Sequence, residues 1–320
     1  MIKKIAILTS GGDAPGMNTA VKAVVNASIN KGLEPYIVFE GYKGLTEGNF
    51  KSVTKKYVQW IGNLGGTKIY STRFPEFKDE EVRKKAVENM KEEGIDALVA
   101  IGGDGSYMGA AKLTEMGIKT IALPGTIDND ISSTDYTIGY HTALDTIVRY
   151  LDQVRETGES HNRLQIVETM GKFCGDLAIN SAIAVGADIL SSSERKLSEE
   201  EIIKKVKECK AAGKRSILMV ITENIYNDLY ALGKRIEEAT GIETRVNIIG
   251  QAQRGGTPVA DDRVLASSMG LFAVEKLIEG ETGVAVNIVK NEYSTMDILD
   301  VVKMERPSKE SLLNRFDLLN

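Results

Sequence analysis

The sequence predicts an α/β protein built on parallel sheets. Three observations carry that expectation. Short, continuously apolar runs alternate with helical patterns along the whole chain, as in strands covered by helices on both faces. Glycine clusters follow three of these runs directly. The length of 320 residues is that of about two ordinary domains, enough to bury a sizeable core without a disulfide or metal staple.

Taken in order, residues 4–9 and 34–39 read as the first strands. Asp79 caps a helix through Glu93, with Val82, Ala86, Val87 and Met90 on one face. Residues 95–101, 118–123 and 164–168 are further strands. Ser198-Glu199-Glu200-Glu201 is a capping box that opens a helix to about Ala212. Residues 216–222, 246–249 and 284–289 complete the strands. No repeat, low-complexity segment or proline-rich linker marks a domain boundary.

Composition narrows the function. Apolar residues make up 42% and charged residues 27%, as in ordinary globular proteins, so disorder is excluded. No run approaches the ~18 apolar residues of a membrane span. Only four apolar residues, Ile5 to Leu8, precede the first polar break, too few for a signal-peptide core. The net charge of −5 argues against non-specific nucleic-acid binding. The two cysteines, Cys174 and Cys209, form no C-x-x-C and are expected to be reduced, in the cytosol. With only two histidines, His141 and His161, neither a zinc site nor histidine-based nucleophilic catalysis is expected. Carboxylates are left to move protons.

The chemistry concentrates in three loops, each directly after a predicted strand. The first is Ser10-Gly11-Gly12-Asp13-Ala14-Pro15-Gly16-Met17-Asn18. The second is Gly102-Gly103-Asp104-Gly105-Ser106. The third is Pro124-Gly125-Thr126-Ile127-Asp128-Asn129-Asp130. In a parallel sheet all strands present their carboxyl ends on one edge, where ligands bind. Glycines let backbone N–H groups approach phosphate oxygens, and a following helix N-terminus favours negative charge. The first two loops therefore read as phosphate cradles; the alternative is tight strand-to-helix turns with Asp13 and Asp104 as caps. Neither is G-x-G-x-x-G nor a Walker P-loop. Asp104 beside a phosphate calls for Mg²⁺ between the two. Thr126, Asp128 and Asp130 would share one side of an extended loop. An aspartate there can accept the proton of an acceptor hydroxyl, although the same tripeptide also suits an Asx-turn cluster. Arg73, Arg163, Arg245 and Arg254 offer guanidinium forks for phosphate. These residues describe a Mg²⁺-dependent phosphoryl-transfer enzyme with a phosphorylated acceptor.

At these three loops, and at Gln253-Arg254-Gly255-Gly256, the chain closely resembles the bacterial ATP-dependent 6-phosphofructokinase family. Residues 71–77 and 170–176 match in order, and the resemblance covers essentially the whole chain. It implies two Rossmann-like three-layer α/β/α domains with mainly parallel sheets and a catalytic cleft between them. The expected boundaries are about 1–138 plus 251–301 for the larger, ATP-binding domain and 139–250 plus 302–320 for the smaller, fructose 6-phosphate-binding one. It implies a cytoplasmic homotetramer that makes fructose 1,6-bisphosphate in glycolysis, with Mg²⁺ as cofactor.

The resemblance also assigns roles. Asp128 would be the base on the sugar 1-hydroxyl, Asp104 the Mg²⁺ ligand, and Asp130 its neighbour. Gly12, Arg73, Thr126 and Lys172 would serve the transferring phosphoryl group. Phe74, Gly103, Gly105 and Ser106 would line the nucleotide site. Ile127, Met170, Gly171, Lys172, Glu223, Gln251 and Arg254 would hold the sugar phosphate, with Arg163 and Arg245 reaching it from a neighbouring subunit. Gly105 and Gly125 stand where pyrophosphate-dependent relatives carry Asp and Lys, which favours ATP. Lys172 and Gln251 replace the family's usual Arg and His. An ADP or phosphoenolpyruvate effector pocket would map to Lys22, Asn26, Lys55, Arg155, Gly186, Asp188, Ala212 and Lys214. Asn26 and Ala212 stand where cations are usual, so weakened allosteric control is expected.

Overall fold

The computed structural model describes residues 2–319. The chain divides into two compact units. The first takes the residues up to Ile127, then Ile131–Thr142 and Arg254–Arg306. The second takes Asp128–Asp130, Ala143–Gln253 and the residues from Pro307 on.

The first unit opens with β1 (Lys4–Thr9), α1 (Met17–Asn30), β2 (Glu34–Val38), α2 (Gly41–Glu47), β3 (Phe50–Ser52) and α3 (Lys55–Val58). It continues with α4 (Glu80–Glu93), β4 (Ala97–Gly102), α5 (Asp104–Glu115) and β5 (Lys119–Pro124). The chain then enters α6 (Tyr140–His161) and the second unit, made of β6 (Leu164–Thr169), α7 (Asp176–Val185), β7 (Ile189–Ser191), α8 (Glu199–Ala211), β8 (Ile217–Thr222), α9 (Leu229–Thr240) and β9 (Thr244–Ile248). It returns to the first unit as α10 (Ala260–Glu279), β10 (Val284–Val289), β11 (Glu292–Asp297) and α11 (Ile298–Lys303). It ends in the second as α12 (Glu310–Leu319).

The first sheet has the order β11-β10-β5-β4-β1-β2-β3 and the second β7-β8-β6-β9. All strand pairs of the second are parallel. In the first, only the outermost strands β3 and β11 run antiparallel. The continuously apolar runs are the central strands: β4 and β8 are buried at every residue. The three strands that the sequence did not predict, β3, β7 and β11, are short or polar. Strand β11 alternates partly buried Tyr293 and Thr295 with exposed neighbours, as an edge strand does.

Both predicted caps form. The Asp79 carboxylate accepts from the Glu81 amide, and Ala86, Val87 and Met90 of α4 are buried. Ser198 and Glu201 make the reciprocal pair of a capping box at the start of α8. One core joins Leu8, Tyr42, Leu98, Tyr107 and Leu113 in the first unit. Another joins Ile166, Ile189, Met219, Ile221 and Ile236 in the second.

Register decides where the loops emerge. Thr9 lies opposite Ile101, and Gly102 opposite Pro124. Strands β1, β4 and β5 are neighbours and parallel, so the three glycine-rich loops leave one edge of one sheet side by side.

Candidate active site

The first two loops are stitched together. The buried hydroxyl of Ser106 donates to the Ser10 carbonyl at 3.1 Å, and the Ser10 amide donates to the Ile101 carbonyl at 3.0 Å. Gly102 is required here, since a Cβ would lie 2.2 Å from Ser106 Oγ and 2.5 Å from the Ser10 carbonyl oxygen. The Ser106 side chain thus fastens the loops to each other. Asp104 is the first residue of α5, with Gly103 at the cap. Helix α1 begins at Met17 behind Gly16. Neither Asp13 nor Asp104 occupies a cap position, which removes the helix-cap reading of both.

Arg254 belongs to the first unit. Its Nη1 donates to the Asp13 carbonyl at 3.2 Å. A Cβ on Gly12 would lie 2.4 Å from that same nitrogen, so Gly12 makes room for a guanidinium against the first loop. Gly105 is exposed and a Cβ there meets nothing within 4 Å. Gly125 differs: a Cβ would press on Met17 Cε at 2.9 Å and Ile101 Cγ2 at 3.0 Å. Arg73 is exposed, and Phe74 packs near Phe77 with ring centroids 6.5 Å apart.

The third loop is not extended. Asn129 has φ +51°, a left-handed conformation that Asn tolerates better than most residues. Strict alternation needs extended backbone throughout, and it is interrupted at Asn129, between Asp128 and Asp130. Thr126 stays with the first unit, while Asp128 and Asp130, both buried, group with the second. The backbone of Thr126 is clamped: its amide donates to the Ile138 carbonyl at 3.1 Å, and its carbonyl accepts from Thr137 Oγ1 at 2.6 Å. Behind this clamp lies fully buried Asp262, which accepts from the amides of Gly139 and Thr142 and from the Thr142 hydroxyl. Burial raises the Asp262 carboxyl above its usual range, and these donors oppose the rise.

In the second unit Glu223 Oε1 accepts from the amides of Gly171 at 3.2 Å and Lys172 at 2.8 Å. Met170 donates its amide to Gln253 Oε1 at 3.0 Å. Lys172, at φ +57°, and Gln251 are exposed. Arg163 and Arg245 converge on one carboxylate: Arg163 Nε lies 2.9 Å from Glu243 Oε2, and Arg245 pairs with Glu243 Oε1. The Glu243 carboxyl is held below its usual range, chiefly by the Arg163 hydrogen bond. Ile127 is fully buried, so its side chain packs inward.

The expected effector residues fall in two groups. Lys22, Asn26 and Lys55 are in the first unit, where Lys22 Nζ donates to the Gln59 carbonyl at 3.0 Å and Lys55 pairs with Asn30. Lys22 and Asn26 line a groove of about 670 Å³ with exposed Trp60. In the second unit Arg155 donates to the carbonyls of Val185 and Gly186 at the end of α7. Asp188 is occupied by Lys214 at 2.5 Å and by the Leu218 amide at 2.7 Å.

Sequence reasoning missed Glu243, Gln253 and Asp262. Gln253 sat inside a recognised motif whose arginine drew the attention. Glu243 lies two positions before Arg245, a charge pair with no distinctive spacing. Asp262 reads as an ordinary first-turn acid of α10 and becomes a clamp only when α10 meets the start of α6.

A doubly wound sheet with glycine-rich loops at the carboxyl ends of three adjacent parallel strands is the architecture of α/β proteins that hold phosphate-bearing ligands. The phosphofructokinase family profile matches residues 4–277. An ATP-dependent 6-phosphofructokinase of Photobacterium profundum is 51% identical over 100% of both chains. One of Vibrio campbellii is 52% identical over 98% of both. Among solved structures, phosphofructokinase from Saccharomyces cerevisiae superposes with a TM-score of 0.87 at 35% identity, covering 98% of this chain and 47% of that longer one. The chain belongs to the phosphofructokinase family.

Proposed function

We propose that this chain is an ATP-dependent 6-phosphofructokinase. It transfers the γ-phosphoryl group of ATP to the 1-hydroxyl of fructose 6-phosphate, giving ADP and fructose 1,6-bisphosphate, in glycolysis. The observation that carries the reading is the 51% identity, over the full length of both chains, to a relative of that name.

Asp128 takes the proton of the 1-hydroxyl as its oxygen attacks the γ-phosphorus, and Asp130 stands two residues on. Asp128 is 7% exposed, and a carboxylate within hydrogen-bond reach of the hydroxyl can serve as its general base. Thr126, on its clamped backbone, Gly12, Arg73 and Lys172 serve the phosphoryl group in flight. The first unit takes ATP: Gly103, Gly105, Ser106 and Phe74 shape its site, and the open space before Gly105 leaves room for an α-phosphate. Met170, Gly171, Lys172, Glu223, Gln251 and Arg254 hold the sugar phosphate. Arg163 and Arg245, pre-aimed by Glu243, serve a neighbouring subunit's site.

Among the described residues, no three His, Cys, Asp or Glu side chains gather as a protein metal cage. This fits Mg²⁺ arriving with the nucleotide, since that ion usually takes one or two carboxylates plus phosphates and water. Asp104 would hold it, and the ion would neutralise phosphate charge. We assign the protein to the cytoplasm as a homotetramer. Exposed Val264, Leu271 and Ile278 on α10 support an assembled state. No helix among the described residues is long and apolar enough to cross a membrane.

The test is a coupled assay with fructose 6-phosphate and either ATP or pyrophosphate, with and without Mg²⁺. Turnover with ATP and Mg²⁺ alone is expected. Turnover with pyrophosphate in place of ATP would reassign the donor, and none with either would leave a sugar-phosphate-binding paralogue.

A further inference from the structure

Asp176 opens α7 with its side chain only 3% exposed. One carboxylate oxygen, Oδ2, accepts from Asn129 Nδ2 at 2.8 Å and from Lys309 Nζ at 2.9 Å. The other, Oδ1, is buried and meets no donor among the described residues. Lys309 sits just before α12, and its carbonyl accepts the amides of Leu312 and Leu313. Asn129 is gripped a second time, by Cys174 Sγ at 3.8 Å from its carbonyl oxygen. All four residues belong to the second unit.

A buried ion pair with an unsatisfied oxygen is a poor stabiliser, because desolvation offsets the attraction and apolar packing often does as well. The pair nonetheless does one thing that apolar packing cannot. It fixes the amide of Asn129, the left-handed residue between Asp128 and Asp130. The side chain of Asn129 is thus a handle on the turn that carries both flanking carboxylates.

We propose that Asp176, charge-balanced by Lys309, is a positioning residue that acts through Asn129 to aim Asp128 and Asp130. The segment leading into α12 thereby governs the reacting carboxylates. This rests on the reading of Asp128 as the base. Misplacing a reacting group by about 1 Å can cost ~10²-fold in rate, so a loss of ~10–100-fold in kcat is the expected scale.

The experiment uses the full chain with Asp176→Ala, Asn129→Ala, their double variant, Asp176→Asn and Lys309→Met. It reads kcat, KM for ATP and the thermal midpoint. Each alanine variant is expected to lose kcat on the scale above while KM for ATP stays put. The double variant should lose no more than the worse single, since both cut one linkage. Asp176→Asn keeps an acceptor for Asn129 and should recover most of the rate. Multiplicative losses in the double variant, or a lowered midpoint with wild-type kcat, would overturn the proposal. If Asp176→Ala does not fold, Lys309→Met carries the test: lowered kcat supports it, and wild-type kcat overturns it. Asp128→Asn runs alongside. If that variant keeps its kcat, the base assignment fails, while the Asp176–Asn129 coupling is still read from its own cycle.

Discussion

Asp128→Asn is expected to lower kcat by ~10²–10⁴-fold, the usual worth of acid–base catalysis, with ATP binding nearly unchanged. Steady-state kinetics with a nucleotide-binding titration checks both halves, and near wild-type kcat would sink the assignment. Gly105→Asp probes the donor. Because a Cβ there meets nothing within 4 Å, the variant should fold normally and place a carboxylate where the α-phosphate would lie. Its kcat/KM for ATP should fall far more than its affinity for fructose 6-phosphate; equal losses would contradict the role. Gly125→Lys is a poorer probe, since its Cβ would press on Met17 and Ile101 and shift them.

Helix α8 offers a control at the scale of the element. Its capping box closes both ways, Ser198 Oγ accepting from Glu201 and Glu201 accepting from the Ser198 amide at 2.7 Å. Ser198→Ala should cost ~1 kcal/mol of stability, the usual worth of such a cap, and leave kcat alone because α8 carries none of the site residues. Denaturant unfolding checks the first and the coupled assay the second. A large activity loss would mean that α8 is tied to the site in a way these contacts do not reveal. Elements also show which signals were legible. The capped helices α4 and α8 and the buried strands were readable because local residues fix them. Strands β3, β7 and β11 were not, because a three-residue or half-exposed strand is defined by its neighbour rather than by its own pattern.

At the scale of the whole molecule, the prediction concerns regulation. Asn26 and Ala212 supply no positive charge where the family usually has it, and Asp188 is already engaged by Lys214 and the Leu218 amide. A charged hydrogen bond is worth ~1.5–3 kcal/mol, so if an effector pocket forms there, two missing cations would weaken binding to it. An effector shifts an equilibrium only by its differential affinity. The fructose 6-phosphate saturation curve should therefore move little with millimolar ADP or phosphoenolpyruvate. A shift of about tenfold, ~1.4 kcal/mol of coupling, would show that Lys22, Lys55, Arg155 and Lys214 suffice.

The sequence by itself determined the α/β class, the two caps and the three glycine-rich loops, since each depends on periodicity or on chemistry within a few residues. It also carried the family, through motifs spread along the whole chain. Only the tertiary structure decided the partners across long separations. Arg254 meets Asp13 and Gly12 because β1 and the segment before α10 come together, and Asp262 clamps Gly139 because α10 reaches the start of α6. The grip of Asp176 on the left-handed Asn129, and the pairing of Lys309 with Asp176, join residues that are remote in sequence. No local pattern encodes such meetings, because they are set by how helices and strands pack. That packing is cooperative and is fixed by the core as a whole.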